Sequence, residues 1–333
     1  MNHLKNLFLY SSLACITILG TGCSDRPSEP NHDQTMQESS PIKIVTTTGM
    51  ITDPARFIAG NHATVVGIIG SGIDPHLYKP SRTDIATLSS ADLILYNGLL
   101  LEGRMTDALV RIAGSGIAVR AISESIDESS LLSPPDFEGH HDPHLWMDPI
   151  AWANAVNIIA ESVITQDPSN TDSYNANNNA YQQQLSALDE YAVQVLSSVP
   201  LDQRVLVTAH DAFNYFGQRY NYQVVGIQGI STESEAGVRD IERIVDLLVE
   251  RKIKAVFVET TVSDRNINAL IAGARARGHE VIIGGSLFSD AMGQPGTYEG
   301  TYIGMIDHNV TTIARALGGE APKLGLNGLL SNE

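Results

Sequence analysis

The stretch HHDPHLWMDP, residues 140–149, places three histidines and two aspartates within ten positions. Imidazole nitrogens and carboxylate oxygens are common ligands of divalent transition metals, so this composition is typical of a metal site. A polar, histidine-rich loop would have the same composition without binding an ion. Residues elsewhere in the chain that could join such a site decide between the two interpretations.

Three other polar residues each follow a predicted buried strand. They are His76 after the strand 63–69, His210 after 204–208 and Asp290 after 280–284. In open parallel sheets, ligand-binding residues lie on loops just past the carboxyl ends of strands. With His144 of the opening stretch, two candidates fall in each half of the chain, so all four could meet in a cleft between the halves.

This donor set of three imidazoles and one carboxylate suits a divalent transition metal with nitrogen and oxygen ligands. Ligand softness favours Zn²⁺, with Mn²⁺ next, since a carboxylate that binds through both oxygens could expand the coordination sphere for manganese. The sequence alone leaves the choice among zinc, manganese and iron open. Because imidazole coordinates only when deprotonated, metal affinity should fall on acidification.

Strand and helix patterns alternate along most of the chain, which predicts an α/β fold with parallel sheets. We predict two such lobes, residues 41–168 and 201–330. Between them, residues 169–200 should form one long connecting helix, because apolar residues recur at steps of four and three positions. This stripe consists of Tyr181, Leu185, Leu188, Ala192, Val195 and Val199.

The N-terminus is typical of a targeting segment. A short basic start precedes the apolar run LFLYSSLACITILG, and the small residues TG then lead to Cys23. A cysteine at this point indicates a bacterial lipoprotein signal, although Gly20 stands where leucine is usual. We predict a signal peptide over residues 1–22, a flexible tether over 23–40 and lipid attachment through Cys23.

Composition excludes several other classes of protein. The chain has 333 residues and a net charge of −17, so binding to nucleic acid, which needs a basic surface, is not expected. Its only two cysteines are Cys15, within the predicted signal, and Cys23. An internal disulfide and a thiolate metal site are therefore excluded.

Four segments around the candidate residues carry a family resemblance. These segments are DPHLYKPSRTDI, DPHLWMDP, VTAHDAFNYF and GGSLFSDAMGQPGTY. They resemble the ligand segments of the zinc/manganese substrate-binding proteins of ABC transporters, the cluster A-I (cluster 9) metal-binding lipoproteins. The resemblance covers nearly the whole mature chain. Its third ligand position holds histidine, as in TroA-like and zinc-binding members, whereas many manganese-selective members have glutamate there.

By position, the resemblance implies that the metal ligands are His76, His144, His210 and Asp290. It also implies an extracytoplasmic solute-binding component of an ABC importer, which captures Zn²⁺ or Mn²⁺ between two lobes and delivers it to a membrane permease. Such a protein would lie in the periplasm or on the outer face of the cytoplasmic membrane, held by its lipid anchor. We expect it to be a monomer.

The remaining polar residues near the motifs receive structural interpretations. His140 and His141 are predicted to be solvated loop residues, and Asp142 and Asp148 are predicted to orient neighbouring groups rather than to bind metal. Trp146 should pack, and Glu259, at another strand end, should be a hydrogen-bonded carboxylate. His62, His279 and His308 match no motif position and are predicted to be structural or exposed.

Two alternative functions remain open at this point. A metal-dependent hydrolase would need a free coordination position for water, whereas four protein ligands close the sphere. The chain also has no HExxH motif, nucleophile elbow or phosphate loop, so we predict that it is not an enzyme. Some members of the resembling family have been described as surface adhesins, and nothing in this sequence supports or excludes that role.

Overall fold

Short strands form the layers on which the candidate residues are placed. The computed structural model describes residues 41–135, 137 and 139–331, so the predicted signal, tether and Cys23 lie outside the described residues. The strands are β1 (Ile42–Thr46), β2 (Ala63–Gly67), β3 (Leu93–Tyr96), β4 (Ala118–Ala121), β5 (Val205–His210), β6 (Gln223–Gln228), β7 (Ala255–Glu259) and β8 (Ile282–Leu287).

Helices connect most of these strands and cover them. The helices are α1 (Gly49–Ala59), α2 (Arg82–Ser89), α3 (Thr106–Ala113), α4 (Pro149–Gln166), α5 (Thr171–Ser197), α6 (Asn214–Tyr220), α7 (Val238–Arg251), α8 (Arg265–Ala276) and α9 (Tyr302–Ala316). Within the described part of the chain, no helix is both long enough and apolar enough to cross a membrane.

All strand pairs are parallel, as the alternating pattern predicts. The N-terminal strands form one sheet in the order β2-β1-β3-β4. In the C-terminal half, β5 pairs with β6 and β7 pairs with β8, and β5 also lies beside β7. The α/β fold with two parallel-sheet lobes is therefore confirmed. The lobe boundaries at 168 and 201 stay predictions, because residues from 41 onward group as one compact unit.

Helix α5 joins the two sets of strands and contacts both. It has 27 residues. All six members of the predicted apolar stripe, including Val199 just past the end of the helix, are buried. The helix packs against α1 and α4 on the N-terminal side and against α6 and α9 on the C-terminal side. Tyr181 donates its hydroxyl to Asp53 Oδ2 at 2.8 Å, and Tyr191 Oη lies 2.8 Å from Thr311 Oγ1. The long connecting helix is thus confirmed as a packed element, not a flexible hinge.

We expect truncation of the stripe to destabilise the whole described fold. Leu188→Ala removes a fully buried side chain from α5, and the resulting cavity should lower the free energy of unfolding by about 2–5 kcal/mol. Val193→Ala, on the same helix but 45% exposed, is the matched control and should change it by less than about 0.5 kcal/mol. Urea denaturation of the metal-free protein measures both. Equal effects would mean that the stripe is not part of the core.

Candidate metal centre

The four residues selected from the sequence meet at one point in the fold. One potential ligand atom from each of His76, His144, His210 and Asp290 lies within 4.8 Å of the others, and all four side chains are buried. His76 follows β2, His144 begins the turn before α4, His210 is the last residue of β5, and Asp290 follows β8. Three of the four residues thus lie at or past the carboxyl ends of strands, as the sheet rule predicts, and His144 comes from a turn.

The carboxylate of Asp290 is the centre of the cluster. Its Oδ2 lies 3.2 Å from Nε2 of His210 and 3.5 Å from Nε2 of His76. Its Oδ1 lies 3.3 Å from Nε2 of His144. The Nε2 atoms of His76 and His144 are 3.4 Å apart. All three imidazoles therefore point the same nitrogen at a single small volume beside one carboxylate.

Several of these atoms are buried without a well-formed hydrogen bond. Nε2 of His210 and both carboxylate oxygens of Asp290 have no hydrogen-bond partner within the described residues. Burying polar atoms unsatisfied costs free energy unless another group satisfies them. A cation coordinated at the common point would satisfy all three atoms. Coordination through nitrogen and carboxylate oxygen is the chemistry that Zn²⁺ and Mn²⁺ accept.

Two Asp-Pro-His segments hold His76 and His144 in the same way. In the first, Oδ1 of Asp74 accepts the backbone N–H of His76 at 2.8 Å. In the second, Oδ1 of Asp142 accepts the backbone N–H of His144 at 2.9 Å and lies 2.7 Å from its Nδ1. Asp142 therefore orients its neighbour as predicted. Asp74 was not selected from the sequence, although the repeat of Asp-Pro-His was a visible signal for it.

His210 is held by a carboxylate from the neighbouring strand. Glu259, the last residue of β7, accepts the backbone N–H of His210 through Oε1 at 2.8 Å, and its Oε2 is hydrogen-bonded to Nδ1 of the same residue. Engaging Nδ1 leaves Nε2 facing the common point and makes the imidazole a stronger donor. The prediction of Glu259 as a hydrogen-bonded carboxylate is confirmed.

The electrostatics of the cluster differ between its histidines. Burial lowers the pKa of His76 to about 3, with Asp290 opposing the shift. Burial also lowers the pKa of His144, but Asp142 and Asp290 outweigh it and raise the value to about 9. For His210, burial is outweighed by Glu259 and Asp290, which raise its pKa well above the usual value. Burial opposes ionisation of Asp290, yet His210 and His144 hold its pKa well below the usual range.

Trp146 links the His144 turn to the Asp290 loop. The indole is fully buried, and its Nε1 donates to the carbonyl oxygen of Ser289 at 2.9 Å. The hydroxyl of Tyr302 in turn donates to the carbonyl oxygen of Trp146 at 2.8 Å. Trp146 is therefore a packing residue, as predicted, and it fixes the distance between two segments that carry candidate ligands.

The other histidines and Asp148 lie outside the cluster. His140 and His141 are in the loop before Asp142, and His141 Nδ1 lies 3.0 Å from Ser133 Oγ. His279 and His308 contact backbone carbonyl oxygens through Nε2, at 2.7 and 2.9 Å, and His62 packs edge-on against Tyr174. Asp148 caps α4 by accepting the backbone N–H of Ile150. These contacts agree with the structural interpretation of all six residues.

Comparison with known proteins gives consistent results at the level of sequence and fold. Residues 44–316 match the family model described as zinc-uptake complex component A, periplasmic. The chain is 44% identical over 310 residues to the manganese-binding lipoprotein MntA of Bacillus subtilis, covering 93% of this chain and 98% of that protein. It is 45% identical over 274 residues to the zinc-binding protein TroA of Treponema pallidum, covering 82% and 88%.

A solved structure of the Treponema pallidum periplasmic zinc-binding protein TroA superimposes with a TM-score of 0.81. That superposition covers 83% of this chain and 99% of the solved one, at 44% identity. The agreement extends over both sets of strands and the long helix that joins them. The chain therefore belongs to the family of periplasmic A components of zinc-uptake complexes.

Proposed function

We propose that this protein is the extracytoplasmic solute-binding component of an ABC importer and that it captures a divalent transition metal, zinc or manganese, between its two lobes. The proposed ligands are His76, His144, His210 and Asp290. The observation that carries the proposal is the burial of these four side chains around one point, with both oxygens of Asp290 left without a hydrogen bond. The ion is the cargo of the protein, to be delivered to a membrane permease.

Capture fits this arrangement better than catalysis. A catalytic zinc ion has three protein ligands in typical sites and keeps one position for water. Here four protein side chains surround the point, so a tetrahedral ion would have no position left for substrate. Ligands contributed by both halves of the chain also suit an ion that must be released, because separating the halves divides the ligand set. We therefore propose a binding protein and not a metal-dependent hydrolase.

The proposal extends to the cell surface. Lipid attachment at Cys23 would hold the protein at the outer face of the cytoplasmic membrane, with residues 23–40 as the tether to the permease-bound lobes. The lobes themselves would be residues 41–168 and 201–330, with residues 169–200 as the connecting helix, in a monomer. The relatives named lipoproteins support the anchor in general terms. The mass of the N-terminal peptide from membrane-extracted protein measures the modification at Cys23.

Metal content is the experiment that tests the function. One relative is named for manganese and another for zinc, so the names alone do not choose the cargo. Three imidazoles favour zinc, whose complexes with a given site are generally more stable than those of manganese. We expect one ion per chain after purification without added metal, and we expect zinc to displace manganese in competition. A protein that binds neither ion would contradict the proposed function.

Replacing one proposed ligand should affect affinity far more than replacing loop histidines. His210→Ala removes a donor atom from the cluster, so affinity for Zn²⁺ should fall by more than the roughly 10–100-fold cost of losing a residue that only orients a ligand. The double variant His140→Ala/His141→Ala is the control, and its affinity should match the original protein. Competition with a fluorescent chelator measures both. Equal losses in the two variants would show that the ligands are wrongly assigned.

Metal affinity should fall with decreasing pH across the whole neutral range. In the metal-free site the carboxylates raise the pKa of His144 to about 9 and that of His210 well above its usual value. Both shifts favour the imidazolium form, whose extra proton coordination must displace, whereas the low pKa of His76, about 3, favours its neutral form. We expect more than one proton to be released per ion bound, so that affinity falls as the pH decreases.

Titration calorimetry from pH 5 to 8 in two buffers of different ionisation enthalpy measures both the proton count and the slope. A flat profile would contradict a histidine site.

The stability of the metal-free protein should show the opposite dependence on pH to that of metal affinity. Because the folded pKa of His144 exceeds the unfolded value of about 6.5, its contribution to stability is complete below that pH and is lost as the pH rises toward 9.

A further inference from the structure

The carboxylates of the two Asp-Pro-His segments each have a second oxygen, and both second oxygens contact the opposite half of the chain. Oδ2 of Asp74 accepts the hydroxyl of Thr232 at 2.6 Å. Oδ2 of Asp142 accepts the side-chain amide of Asn214 at 3.1 Å. These contacts join residues 158 and 72 positions apart in sequence. In each case one oxygen of the carboxylate accepts a hydrogen bond from a histidine, and its second oxygen accepts a hydrogen bond from the opposite half of the chain.

We propose that the hydrogen bond between Asp74 and Thr232 is a latch. It forms when the two halves close, and it fixes Asp74 in the position from which it holds the backbone of His76. Thr232 thereby controls how long the metal is retained. This inference rests on the proposed function, because it assigns a role to residues around the same ion. The hydroxyl of Thr232 donates to Asp74, which is not one of the proposed ligands. It is a positioning residue that acts through Asp74 on the backbone of His76.

The surroundings of the latch support this role. Thr232 is 8% exposed and lies in the segment between β6 and α7, whereas Asp74 is half-buried, so the hydrogen bond between them is partly shielded from water. The β6 end of this segment is Gln228, whose strand partner is His210. The segment therefore extends from beside one proposed ligand to the carboxylate that supports another.

A second link across the cleft lies next to the latch but differs in character. Nε of Arg104 lies 3.2 Å from Oε1 of Glu233, and both side chains are exposed. Exposed ion pairs contribute little and are screened by salt. A partly buried hydrogen bond to a carboxylate contributes more and is less sensitive to salt. The latch and the exposed pair can therefore be separated by experiment.

The latch should appear in the rate of metal release. A bond between the halves must break before they separate, so removing it should raise the dissociation rate constant and leave the association rate constant nearly unchanged. For Thr232→Val, which keeps the shape of the side chain and removes the hydroxyl, we expect dissociation to become about tenfold faster, the loss typical of one hydrogen bond to a charged group. Thr232→Ser, which keeps the hydroxyl, should restore the original rate.

The experiment is stopped-flow release of Zn²⁺ from the loaded protein into excess chelator, at low and high salt. Ser231→Ala is the matched control, since Ser231 lies in the same segment and its hydroxyl oxygen accepts the backbone N–H of Glu233. It should release metal at the original rate. Glu233→Gln should have a small effect that disappears at high salt, whereas the effect of Thr232→Val should persist.

Faster release by Thr232→Val with restoration by Thr232→Ser supports the latch. Release at the original rate from Thr232→Val, or equal acceleration by Ser231→Ala, overturns it. Thr232→Ala, monitored by circular dichroism, answers the same question if the valine variant fails to fold. Failure of the unmodified protein to bind either Zn²⁺ or Mn²⁺ would instead contradict the proposed function, so the two failures are distinguishable.

Discussion

The fold is organised around a carboxylate that is buried among three imidazoles. Asp290 has both oxygens inside the protein without a hydrogen-bond donor of good geometry, and the Nε2 nitrogens of three histidines lie 3.2–3.5 Å from them. The carboxylates raise the pKa of His144 and His210, and these imidazoles in turn hold the pKa of Asp290 low. In the proposed function a divalent cation takes the place of the displaced protons, and Asp74, Asp142 and Glu259 hold the imidazoles in position.

Helix α5 is a rigid connection between the two lobes, whereas the polar contacts between the lobes can open. Helix α5 packs against helices of both lobes through a continuous buried stripe, so the side of the cleft that it spans resists a large hinge motion. The polar contacts of the cleft, by contrast, can open by small displacements, since a hydrogen bond of 2.6 Å is lost within about an ångström of separation. Small movements are sufficient to divide a ligand set whose atoms all lie within 4.8 Å.

The sequence was sufficient to select the four clustered residues because the relevant rule is local. His76, His210 and Asp290 each lie at or past the end of a strand, and parallel strands bring such positions to a common edge. The periodic stripe likewise predicted α5. Four elements were not identified, namely β4, α3, α4 and α9. For helix α4 the reason is that its sequence PIAWANAVNIIAESVITQ is apolar around much of its circumference and has no clear helical face.

Contacts across long separations could not be predicted in the same way. The Asp-Pro-His repeat was visible in the sequence, but no local pattern indicates that Thr232 would reach Asp74 or that Asn214 would reach Asp142. These pairings arise only when both lobes and α5 are assembled. The difference in pKa between His144 and His76 has the same origin. The unperturbed pKa of histidine gives the direction of the pH effect on metal affinity, but the carboxylates that raise the pKa of His144 come from different elements of the fold.

In this arrangement, different residues would set the affinity for the ion and the firmness with which the proposed ligands are held. In the proposed site, the four clustered side chains would determine which ions can bind, since they set the donor atoms and the net charge. The carboxylates of Asp74, Asp142 and Glu259 determine how firmly the imidazoles are held. Two of these carboxylates also bond to the opposite half of the chain, so opening the cleft loosens the imidazole supports at the same time as it divides the ligands. A permease that separates the halves would therefore weaken the ion's coordination without having to compete for the ion directly.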